Sequence, residues 1–154
     1  MTVWCAVYCY GITGPYFFEI EAGRTVSVNA ERYKTMSEIF LRIELHLRQQ
    51  DLLWFLQDGA TVHTAEISMQ VLRTVFPGRF ISRFGDITCP ARSPHIAEAV
   101  YFLWGYVNNR VYETHTANIA DLKQRILGFI QGTPKEMLQR VMTAYSLRLQ
   151  TCTE

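Results

Sequence analysis

The sequence predicts an α/β domain in which short strands come first and helices accumulate toward the C-terminus. Three observations carry that expectation. Residues 3–10 and 16–20 are β-branched and aromatic, with Gly11 and Gly14-Pro15 between them, which marks a hairpin. Residues 52–57, Leu-Leu-Trp-Phe-Leu-Gln, form a nearly continuous apolar run, the pattern of an interior strand covered on both faces. From about residue 96 the chain reads as three helices in succession. The order is β-β-(β)-α-β-α-β-α-α-α.

Each element has its own signal. Thr25-Val26-Ser27-Val28 suits a short third extended piece, and Asn29 is a good N-cap for a helix over about 30–48. Tyr33, Met36, Phe40, Ile43 and Leu47 recur on one face of that helix. The strand over 52–57 stops at Asp58-Gly59, and a helix over about 63–76 ends before Pro77-Gly78. Phe80-Ile81 is a short strand, and residues 84–95 are expected to be loop. A helix follows over about 96–111. The next starts near Asn118 with Asp121 as its capping partner, and the last at Thr133-Pro134-Lys135-Glu136, a capping box with Pro at its first helical position.

Composition narrows the classes further. With 154 residues, 49% hydrophobic and 19% charged, the chain suits one globular domain with its own core and excludes disorder as the dominant state. Fifteen Lys and Arg against fourteen Asp and Glu leave a net charge of +1, so nucleic-acid contact requires a local patch. No run approaches the ~20 apolar residues of a spanning helix. The N-terminus lacks a basic n-region and an h-region. No membrane partner and an intracellular setting are therefore expected. Cys5, Cys9, Cys89 and Cys152 form no C-x-x-C pair, and His46, His63, His95 and His115 are scattered. Reduced, buried thiols fit better than zinc. Cys5 and Cys9 would share one face of their strand.

The segment richest in chemistry is Gln57-Asp58-Gly59-Ala60-Thr61-Val62-His63-Thr64-Ala65. A carboxylate just past a buried strand sits where open α/β sheets gather ligand groups. The same spacing equally suits an Asp that caps the following turn.

This segment closely resembles the second carboxylate motif of mariner-superfamily DDE/DDD transposases, and the similarity runs along the whole chain. Val3-Trp4-Cys5 through Gly11-Ile12-Thr13-Gly14-Pro15-Tyr16-Phe17-Phe18 resembles the family's second and third strands, and Val28-Asn29-Ala30-Glu31-Arg32-Tyr33 its first helix start. Phe76-Pro77-Gly78-Arg79-Phe80-Ile81 and Ala91-Arg92-Ser93-Pro94 are similar to its fifth strand and the loop after it. Tyr101-Phe102-Leu103-Trp104-Gly105-Tyr106 and Val111-Tyr112 resemble the helix of its last carboxylate. Arthropod copies are the most similar. The resemblance implies an RNase H-like mixed sheet flanked by helices, with three C-terminal helices, and a nuclear setting. It also implies ancestral DNA cleavage and joining with two Mg²⁺ or Mn²⁺ ions held by three carboxylates.

At the decisive positions the sequence departs from the family. The first Asp belongs to a central first strand that is expected to lie upstream of Val3, so a truncated sheet is expected. Residues 3–10 would then pair directly with 52–57, giving the order 3-2-4-5, or exposed strand edges would support self-association. Asp58 corresponds to the second carboxylate. Aligning Ser93-Pro94 and Phe102-Leu103-Trp104 on the family pattern puts His95 at a non-catalytic Asp position and Val100 where the third carboxylate belongs. Glu98 lies two residues before Val100, about 200° around a helix. His95 offers an imidazole better suited to Zn²⁺ than to Mg²⁺. Both are weak rescue ligands, so at most weak Mg²⁺ at Asp58 and no resident cofactor are expected.

Arg79, Arg83 and Arg92 suit phosphate contacts at the sheet edge and equally suit an ordinary surface. Lys123, Arg125, Arg140 and Arg148 read as solvated faces, and Tyr101, Phe102, Trp104 and Tyr106 as helix core. The family's upstream helix-turn-helix modules have no counterpart in these residues, so sequence-specific DNA recognition is not expected. The resulting expectation is a transposase-derived domain inactive in cleavage and strand transfer, a relic or a domesticated protein with residual DNA binding. The alternatives are a protein-interaction or dimerisation module and, last, a residual nuclease using Glu98 and His95.

Overall fold

The computed structural model describes residues 1–47, 53–88, 98–113 and 115–151. The architecture is mixed α/β, and the chain divides into two compact units. One comprises residues 1–4 and 16–93, the other residues 5–15 and 94–154.

Strands β1 (Val3–Tyr8) and β2 (Gly11–Phe17) pair as a two-stranded sheet. The reversal falls at Cys9-Tyr10, a two-residue connection, and not at Gly11–Pro15 as expected. Both strands of a two-stranded sheet are edges, so Pro15 is tolerated inside β2. Cys9 therefore lies in the turn, beyond the strand that holds Cys5. β3 (Glu19–Ile20) pairs antiparallel with β4 (Arg24–Thr25).

Helix α1 (Ala30–Thr35) starts where Asn29 accepts a hydrogen bond from the Arg32 amide at 2.9 Å, as its N-cap position leads one to expect. The helix continues without a break through a π-helical stretch, Met36–Leu41, into α2 (Arg42–Leu47). Around this stretch Thr35 and Ser37 hydroxyls donate to the carbonyls of Glu31 and Tyr33, bonds that compete with the helical ladder. A π turn takes more residues than an α turn, so the buried positions become Tyr33, Met36, Ser37, Leu41 and Leu45. Of the expected face, Phe40 is only half-buried, and Ile43 and Leu47 point to solvent.

β5 (Phe55–Leu56), β6 (Phe80–Ser82) and β7 (Ile87–Thr88) form a parallel sheet, with Phe55 opposite Phe80 and Ile81 opposite Ile87. The described part of the apolar run is strand only at 55–56. Trp54 just before it is exposed, so the run is not covered on both faces. Between β5 and β6 the expected single helix is two, α3 (Thr61–Thr64) and α4 (Glu66–Val75), divided at Ala65, whose ψ of 140° is extended. β7 lies within the expected loop 84–95. The loop between β6 and β7 folds back over β6. Asp86 accepts from the Phe80 amide at 3.2 Å, and a Cβ on Gly85 would stand 2.5 Å from the Phe80 carbonyl oxygen.

Among the described residues β1 joins β2 and β5 joins β6. The expected direct pairing of residues 3–10 with 52–57 is not among these ladders: β1 pairs with β2 along one edge, and β5 pairs with β6.

The core of the first unit gathers Phe18, Tyr33, Met36, Leu41, Leu45, Phe55, Met69, Leu72, Phe76 and Phe80. Phe55 stacks on Phe76 with ring centroids 4.7 Å apart.

In the second unit α5 (Glu98–Val111) packs against α6 (Ile119–Gln131) and α7 (Lys135–Thr151). Leu103, Val107 and Val111 form the buried stripe of α5 at four-residue spacing. The aromatic core expected there is corrected at Phe102, while Trp104 is half-buried and the Tyr101 side chain lies outside the description. Phe102 is exposed, and it stacks on the half-buried Tyr106, with Arg110 over the Tyr106 ring. The cap at Asn118 forms as expected, and Asp121 reaches back to the Ala117 amide. Thr133 departs from its expected role: its hydroxyl donates at 2.7 Å to the Phe129 carbonyl of the preceding helix. Among the described residues no helix is long and apolar enough to cross a membrane.

Candidate functional site

Asp58 is separated from the end of β5 by one residue, Gln57, whose amide still donates to the Ile81 carbonyl of β6 at 3.2 Å. Past that bond the chain leaves the sheet. The Ala60 amide donates to Asp58 Oδ1 at 3.0 Å, closing an Asx turn. The same oxygen lies 2.5 Å from His63 Nδ1. A carboxylate oxygen accepts here, so His63 Nδ1 is the donor of this contact. The Asp58 side chain is 63% exposed and that of His63 22%.

Beneath this turn lies a buried polar network that the sequence analysis assigned no role. Gln57 is 7% exposed. Its Oε1 accepts from the Tyr33 hydroxyl at 2.9 Å, and its Nε2 donates to the His63 carbonyl at 2.9 Å, with Ser82 Oγ at 3.4 Å and Met69 Sδ at 3.7 Å. The Tyr33 ring lies 4.6 Å from the His63 ring. Burial holds the Tyr33 phenol well above its ordinary range; a hydrogen bond from Trp4 opposes the shift and the Asp58 charge adds to it. Tyr33 is therefore a neutral donor that fixes Gln57, and Gln57 fixes the backbone of His63. The usable signal was a lone Gln at the end of an apolar run, because a buried amide demands partners.

The remaining candidates are distributed as follows. Arg83 is exposed and covers the Phe84 ring at 5.1 Å, and its Cδ passes 4.0 Å from where a Cβ on Gly59 would stand. Arg79 precedes the other end of β6 and donates to the Leu53 carbonyl at 3.4 Å. The two arginines flank β6, Arg79 just before it and Arg83 just after it. Arg92 and His95 lie outside the described residues, as do Cys89 and Cys152. Glu98 and Val100 occupy the first turn of α5, in the second unit, and their side chains are likewise outside the description.

For divalent metal the donor set at Asp58 is one carboxylate and one imidazole, and one carboxylate oxygen already serves the turn. Among the described residues no three His, Cys, Asp or Glu side chains converge. A pair of oxygen-seeking Mg²⁺ ions does not fit such a set. What the arrangement provides chemically is a rigid turn bearing an oriented imidazole. No protein-family model matches the chain, and no curated protein matches it.

Proposed function

We propose that this chain is an RNase H-like domain of mariner-transposase descent that neither cuts nor joins DNA. The observation that carries the reading is the Gln57–Ala65 motif at the end of β5, followed by a helical crossover to the parallel strand β6. That is the setting in which open α/β sheets present an acidic residue. Two features support the loss of chemistry: Val100 at the aligned third-carboxylate position, and the engagement of Asp58 Oδ1 by Ala60 and His63. On this reading the domain is nuclear and is kept as a relic or for binding. DNA contact would be local, through Arg83 and its neighbours. Self-association by strand pairing would use β7, the outer strand of its described sheet, where Ile87 and Thr88 are exposed.

The experiment is supercoiled-plasmid nicking and strand transfer with Mg²⁺ or Mn²⁺. The expected result is no turnover above buffer, identical for the chain and for Asp58→Ala. Metal-dependent cleavage that vanishes in Asp58→Ala would overturn the proposal.

A further inference from the structure

The α1–α2 helix carries a second apolar stripe besides the one that faces the core. Ile39, Ile43 and Leu47 are 59%, 52% and 71% exposed. At four-residue spacing they stand in file on one face, over about 12 Å of helix. One exposed Ile is unremarkable on any surface, whereas three in file form a continuous apolar patch. The π-helical stretch sets this phase, turning Leu41 and Leu45 inward and leaving Ile43 and Leu47 outside. Such stretches concentrate at functional places in helices. Immediately beside the file runs a second one, Glu38, Arg42 and His46, all exposed.

We infer that this face docks on the same face of a second copy of the chain, the two helices antiparallel about a twofold axis at Ile43. A twofold contact is self-complementary. In the antiparallel register Ile43 meets Ile43 of the second copy and Ile39 meets its Leu47. The charged file selects the direction. Antiparallel packing sets each Glu38 carboxylate against His46 of the second copy, whose imidazole N–H it accepts. Each Arg42 near the axis keeps its own Glu38 one turn away, with the acidic residue N-terminal, the favourable order. Parallel packing about a twofold axis along the helices would put the two charged files on opposite sides of the seam, with no such exchange. Three apolar side chains on each copy fall well short of the roughly 800 Å² per partner of a standard interface. The association is accordingly weak, with a dissociation constant on the order of 100 µM. The inference is independent of the transposase reading, since it uses neither Asp58 nor a strand edge.

Sedimentation equilibrium of the full chain from about 10 µM to 1 mM, bracketing that constant, tests it. The expected result is a reversible monomer–dimer equilibrium. Ile43→Glu, at an exposed position, puts two carboxylates on the axis, so the dimer disappears with circular dichroism and Tm unchanged. Glu38→Lys weakens association about fivefold, and adding His46→Glu to it restores association. A monomer over the whole range overturns the inference, as does a dimer indifferent to Ile43→Glu. Failure of the double variant to recover overturns the antiparallel register.

Discussion

At Gln57 one amide serves the Tyr33 hydroxyl, the His63 carbonyl and the Ser82 hydroxyl together, all inside the first unit's core. A buried donor or acceptor that loses its partner costs about 1–3 kcal/mol. Gln57→Leu keeps the volume and strands these groups, so a loss of about 3 kcal/mol is expected in urea denaturation. Asp58, mostly solvated, has less to lose. This inverts the ranking that the residue types suggest, because a carboxylate draws attention as chemistry and an amide does not. The sequence singled out the segment; which of its two polar residues the fold leans on was hidden. That depends on Tyr33, 24 positions away, folding over Gln57.

At the scale of elements, local signals were legible where the side chain acts on its own backbone. Asn29 and Asn118 cap their helices as the spacing says. Thr133 does not, because its hydroxyl finds the Phe129 carbonyl of the helix before it. The exposed file on α1–α2 escaped the reading for a related reason. Periodicity assumes one helical pitch, and the π turn changes it within the element. The hairpin was found while its reversal was misplaced by a few residues. Two predictions belong at this scale. Gly85→Ala would press a methyl to 2.5 Å from the Phe80 carbonyl oxygen and 2.8 Å from the Ser82 amide nitrogen, both backbone atoms. A destabilisation of about 1–3 kcal/mol is expected, read as a fall in Tm. The second concerns Asp121, whose carboxyl is held below its usual range chiefly by the Arg125 hydrogen bond, then by the Ala117 amide. A lowered folded-state pKa means the stabilisation is present above the ordinary carboxylate range and is lost as pH falls through the lowered value. Acid titration of helicity should show fraying of the α6 start there, and Asp121→Asn should abolish that step.

At the scale of the whole molecule, the fold class was legible as mixed α/β because strand-like runs precede helical ones. The division into small, separate ladders was not, since which residues of a strand-like run enter a ladder depends on the partner strand and not on the run alone. The central proposal is that the Asp58 turn is a structural feature and does not hold a divalent metal. Mn²⁺ titration followed by thermal unfolding tests it most directly, because a ligand held only by the native state raises Tm with its concentration. The account predicts a Tm that stays flat through millimolar Mn²⁺, with Asp58→Asn behaving in the same way. A saturable rise in Tm that Asp58→Asn removes would contradict it.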